Sequence, residues 1–114
     1  MAQSPKVFQP GIQLGLAATV LYTQPANSVG QVLRAVAYNS DTVARQITLY
    51  RVPAAGSPGP TNLIIGGQSG RLAAGQSLVI NAFAGLTLNA GETLQGLCDA
   101  AAVINVFISG YDNT

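Results

Sequence analysis

The chain has 114 residues, enough for one domain and one hydrophobic core. Only 8% of it is charged, against about 25% in an ordinary soluble domain, and the net charge is +1. With no histidine and a single cysteine, it cannot build a Ser-His-Asp or Cys-His constellation, an intrachain disulfide, or the usual zinc and haem ligand sets.

Residues 1–13 carry Pro5, Pro10 and Gly11 without helical or strand periodicity. They are read as an extended N-terminal arm outside the domain, which then occupies 14–114. Val7 and Phe8 are the side chains able to anchor this arm on a partner; a disordered terminus is the other reading. The stretch 11–21 is interrupted by Gln13 and preceded by one basic residue, Lys6, so it reads as mature protein and not as a targeting segment. No run reaches the ~20 apolar residues that cross a bilayer, so no membrane partner is expected.

From Leu14 onward short β-prone runs alternate with turn residues about every ten positions, which is the signal of a sandwich or barrel. Strands are predicted over 16–23, 29–39, 45–52, 62–65, 77–82, 86–88, 93–98 and 103–111. In 45–52, Ile47 and Leu49 face inward, with Arg45 and Arg51 at the ends of that face, where a long stem lies over the core and the charge still reaches water. In 103–111, Ile104, Val106 and Ile108 share the core face, while Val103, Asn105, Phe107 and Ser109 take the other.

Strand 29–39 is different, because Leu33, Ala35 and Ala37 form one apolar row while Val32, Val36 and Tyr38 form a second, broken only by Arg34. Such a strand is either buried on both sides or presents its second face to another subunit. Val7, Phe8, Val32, Arg34, Val36 and Tyr38 are therefore the candidate subunit-interface residues.

Ala74-Gly75-Gln76-Ser77-Leu78 and Ala90-Gly91-Glu92-Thr93-Leu94 repeat one pattern, with a looser copy at Ala26-Asn27-Ser28-Val29. Each predicts a tight turn whose Gly or Asn takes positive φ before a strand begins. Three prolines and two glycines between Pro53 and Pro60 predict a long surface loop, and with the glycine-rich run 66–70 they mark 62–65 as an edge or excursion.

Little in the chain carries chemistry. Asp41, Glu92, Asp99 and Asp112 all fall in turns or the polar tail, where solvated carboxylates belong, and no calcium-loop, phosphate-loop or hydrolase-elbow spacing is present. Lys6, Arg34, Arg45, Arg51 and Arg71 are scattered, so nucleic acid is not an expected partner. Cys98 reads as a small buried apolar group, and without tryptophan there is little to build a stacking platform. No enzymatic activity, cofactor or metal is expected.

The runs LYTQPANSVGQVLRAVAYNSDTVARQITLYRV (21–52), LAAGQSL (72–78) and LTLNAGETLQGLCDAAAVINVFISGYD (86–112) resemble small β-sandwich accessory proteins of tailed bacteriophages. That group includes head decoration or cement proteins and related neck, tail and fibre modules. Gln24 and Asn27 depart from the pattern, which places an aliphatic residue before the proline and a glycine in the turn. The resemblance implies a subunit, often a homotrimer, that clamps major capsid proteins in the virion, or else a tail, neck or fibre module binding a receptor or glycan. The expected fold is all-β: an antiparallel β-sandwich, jelly-roll-like, with the extended N-terminal arm.

Overall fold

The computed structural model describes residues 3–66 and 70–113. It is an all-β sandwich of two antiparallel sheets. The strands are β1 (Gln3–Gln13), β2 (Thr19–Thr23), β3 (Val29–Asn39), β4 (Arg45–Val52), β5 (Leu63–Ile65), β6 (Arg71–Leu72), β7 (Ser77–Val79), β8 (Thr87–Leu88), β9 (Thr93–Cys98) and β10 (Ile104–Asn113). The first sheet runs β1-β10-β3-β7, with β8 also on β3; the second runs β2-β9-β4-β5, with β6 also on β4. Residues 67–69 of the predicted glycine-rich loop lie outside the described residues.

Alternation places the core as expected where strands are regular. Ile47 and Leu49 of β4, Leu94 and Cys98 of β9, and Ile104, Val106 and Ile108 of β10 are all buried between the sheets. Arg45 and Arg51 are half-buried at the ends of β4. The three repeated turns adopt the predicted backbone: Asn27, Gly75 and Gly91 have φ of 66°, 68° and 82°. In two of them the following side chain closes the turn, since Gln76 Oε1 accepts the Ala73 N–H and Glu92 Oε1 the Asn89 N–H, each at 2.7 Å.

Residues 3–13 are not an arm outside the domain: they form the edge strand β1, hydrogen-bonded along β10, and residues 1 and 2 of the predicted arm lie outside the described residues. Its two register shifts, between Val7 and Gln9 and between Gln9 and Ile12, erase the period-2 pattern that would have betrayed a strand. They also turn Phe8 inward, where its ring stacks on Tyr22 with centroids 4.3 Å apart. Around this contact Lys6 Nζ donates to the Tyr22 hydroxyl at 3.1 Å, and Gln9 Nε2 donates to the Leu21 carbonyl at 2.8 Å. Side chains of β1 thus close one side of the sandwich against β2.

A bulge in β3 corrects the predicted faces. Ser109 pairs with Arg34 and Gly110 with Val32, leaving Leu33 as an extra residue. Side chains on the two sides of a bulge no longer share one alternation. Val32 therefore turns inward at 1% exposure, while Leu33, expected beside Ala35 and Ala37 on the inner row, is 58% exposed. On the other side of β3 the chain answers with an excursion. The Ile80 N–H donates to the Ala35 carbonyl and the Gly85 N–H to the Val32 carbonyl, so residues 81–85 loop out opposite the bulge and drop Phe83 into the core. The predicted strand 77–82 consequently ends at Val79.

Gln24 and Asn39 are completely buried and fully bonded. Gln24 Oε1 accepts from the Tyr22 hydroxyl, and its Nε2 donates to Ser28 Oγ and Asp112 Oδ1, both at 2.8 Å. Asn39 Nδ2 reaches the carbonyls of Val43, Leu72 and Ala73, while its Oδ1 accepts the Asp41 N–H. The departure at Gln24 thus has a structural role, tying the 24–28 turn to the end of β10.

Gly110 faces the bulge, where an added Cβ would overlap the Gln31 carbonyl oxygen and lie 3.0 Å from the Leu33 nitrogen. Gly110→Ala is expected to cost about 1–3 kcal/mol in a denaturant titration. Gly15→Ala, with nothing within 4 Å of the new carbon, should change stability by less than about 0.5 kcal/mol.

Candidate interaction face

The two outer faces of the sandwich differ in character. On the second sheet, strand register aligns Val20, Gln95, Tyr50 and Leu63 in one row and Thr48 with Leu97 in the next, so polar groups interrupt the apolar ones. On the first sheet, Phe107, Val36 and Val79 stand side by side across β10, β3 and β7 as an uninterrupted apolar row. Asn105, Tyr38 and Ser77 form the next row on one side; Val7, Ser109 and Arg34 form the row on the other. Val7 is 63% exposed, and Leu33, Phe107, Val79 and Tyr38 are exposed as well. Apolar side chains grouped this densely on a monomer's surface mark an interaction site.

Of the six candidate residues, the structure brings Val7, Arg34, Val36 and Tyr38 to this one face. Phe8 and Val32 are not on it: both lie in the core, at 5% and 1% exposure, because the bulges in β1 and β3 turn them inward. Leu33, Phe107 and Val79 complete the face. Phe107 was legible from alternation in β10, but Leu33 was hidden by the bulge.

Among the described residues, Arg34 is the only charged side chain directed outward from this face. Lys6, on the neighbouring β1, turns to Tyr22 and to Asp112, 3.5 Å away. Apart from the exposed Arg71, the remaining charges fasten turns. Arg45 binds Asp41 at 2.7 Å, and that guanidinium, with the Thr42 N–H, holds the carboxyl below its ordinary value. Arg51 binds Glu92 at 2.9 Å beside an open cleft of about 440 Å³ walled by Pro53, Leu63, Ile64 and Leu86. Asp99 accepts the Gln46 N–H. The carboxylates are each engaged separately with cations or N–H groups, and among the described residues no three His, Cys, Asp or Glu side chains gather as a metal site. Cys98 is buried, and burial raises its thiol pKa, which disfavours the reactive thiolate.

For Glu92, burial pushes the carboxyl upward, but the Asn89 N–H and Arg51 outweigh it and leave the group below its ordinary value of 4.5. A carboxyl depressed in the folded state stabilises the fold above its unfolded pKa and loses that contribution as pH falls through the folded value. Unfolding stability should therefore hold from neutrality down to roughly pH 4.5 and decline below it, and Glu92→Gln should flatten part of the decline in denaturant titrations across pH 2–7. With a thiol reagent such as dithionitrobenzoate, Cys98 should stay unlabelled in the native protein and react once denaturant is added.

No protein-family model, curated protein or solved structure matches this chain.

Proposed function

We propose that this chain is a non-enzymatic structural subunit of a tailed-bacteriophage particle, most simply a head decoration or cement protein that packs between major capsid subunits. The observation that carries the reading is the Phe107–Val36–Val79 row with Val7, Leu33 and Tyr38 around it, an apolar face left uncovered on a chain with very few charges. A neutral surface gives little long-range repulsion between subunits, so contact area governs association. The resemblance adds the particle, its assembly in the host cytoplasm, and a homotrimeric state.

Sheet edges favour face-on packing. The long edge strand β1 carries Pro5, Pro10 and two bulges, β2 has five residues with a register shift, β5 and β7 have three each, and β6 and β8 have two each. Such edges resist pairing with another chain's strand. The order β1-β10-β3-β7 opposite β2-β9-β4-β5 supports a jelly roll, an architecture common among capsid and lectin domains. A second reading, a tail, neck or fibre module, draws on the amphipathic cleft at Arg51 beside the Pro53–Pro60 loop.

Val36→Asp places a charge in the centre of the apolar row, where desolvating it within an interface costs several kcal/mol, on the order of a hundredfold in affinity. Occupancy on purified particles, read by gel densitometry, should drop at least tenfold with the chain's thermal melt unchanged. Thr48→Asp on the second sheet should leave occupancy intact. Equal occupancy for Val36→Asp and the wild type would remove this face from the function.

A further inference from the structure

Both strands flanking β10 bulge at the level of Ser109. In β3 the extra residue turns Leu33 and Arg34 outward together, and in β1 the two shifts leave Val7 and Pro10 outward on either side of Phe8 and Gln9. Bulges re-aim side chains and cluster beside functional sites. Here they frame a slot of about 300 Å³ with Val7, Pro10, Val36 and Phe107 as apolar walls and with Arg34, Ser109 and Gln9 as polar groups, Gln9 being already bonded to the Leu21 carbonyl and the Gly11 N–H. No described residue bonds the Arg34 guanidinium or the Ser109 hydroxyl; Lys6, Arg45 and Arg51 have carboxylate partners, and Arg71, which has none among the described residues, lies on β6 of the other sheet.

Covering this face removes water from Arg34, and an arginine desolvated without a counter-charge is strongly unfavourable. A second copy of the chain is poorly equipped to supply that charge through its described residues. Asp41, Glu92 and Asp112 are ion-paired, and Asp99 is held by the Gln46 N–H and the Cys98 thiol in the turn after β9. We propose that the slot receives an aspartate or glutamate side chain, flanked by apolar residues, from a different protein. The guanidinium fork meets its carboxylate, and the row beside it meets its apolar neighbours. This deepens the proposed function and rests on it, naming the chemistry that the particle surface must present to β10.

The test uses particles assembled without this chain, titrated with the purified full chain. Wild type should bind, Arg34→Gln should bind more weakly, and Arg34→Glu should lose at least about thirtyfold in affinity, as expected when a charge pair in an interface is broken. Circular dichroism and sedimentation of the three free proteins should coincide. Equal binding by all three chains overturns the inference while leaving the particle role standing. A change in the oligomeric state of free Arg34→Glu also overturns it, because the slot then belongs to a second copy. If even the wild type leaves the particles bare, the parent proposal fails and this inference fails with it.

Discussion

The extra residue in β3 is the constraint around which this sandwich is arranged. A β-strand shows its side chains to opposite faces with period two, so one inserted residue reverses the assignment of everything beyond it. Before the bulge Gly30 and Val32 point inward; after it Ala35, Ala37 and Asn39 do. Both halves of the strand thereby feed one core, although no single alternation links them. The neighbouring strand must accommodate the same defect. It does so by breaking into β7 and β8 around a turn that delivers Phe83 to the interior. Gly110 must lack a side chain because Gln31 and Leu33 approach it there.

The same irregularity produces the interaction face. A regular β3 would have carried Leu33 inward and Val32 outward, and Arg34 would have stood alone between valines. With the bulge, Leu33 and Arg34 emerge together beside Ser109, opposite the point where β1 is itself displaced. Core packing and surface recognition are therefore coupled through one backbone feature: the residue omitted from the ladder places Val32 in the core and its neighbours at the surface.

Charges serve a different purpose in this protein. Most are local fasteners: Asp41 with Arg45 closes the turn after β3, Glu92 with Arg51 braces the start of β9 against β4, and Lys6 with Asp112 joins β1 to β10. Partly exposed pairs of this kind contribute little stability individually. The buried amides of Gln24 and Asn39 matter more, because each satisfies several backbone or side-chain groups that would otherwise lie unpaired in a dry interior. What remains for association on the first sheet's outer face is apolar area and Arg34, which has no carboxylate partner among the described residues.

Regular stretches were legible in the linear chain. Strands 29–39, 45–52 and 93–98 were readable with their observed bounds, since β-branched and alternating residues sit between Gly and Asn turns whose positive φ is set by the residues themselves. The inward faces of β4 and β10, and the outward placing of Arg34, Val36 and Tyr38, followed from that alternation. β1 was not legible, because Pro5, Pro10, Gly11 and two bulges disguise a strand whose pairing is supplied entirely by β10. Nor was the two-residue β6, which is ordered by contact with β4 and not by its own propensity.

By itself, then, the order of residues determined an all-β chain, the positions of its tight turns and a surface with few charges. These are consequences of local backbone preference and composition. Tertiary structure decided which of Val32 and Leu33 is buried, that Phe8 belongs to the core and not to a partner, and that Val7 and Arg34 face one slot. Each of those outcomes depends on register with a strand distant in sequence, and register is a property of the pair.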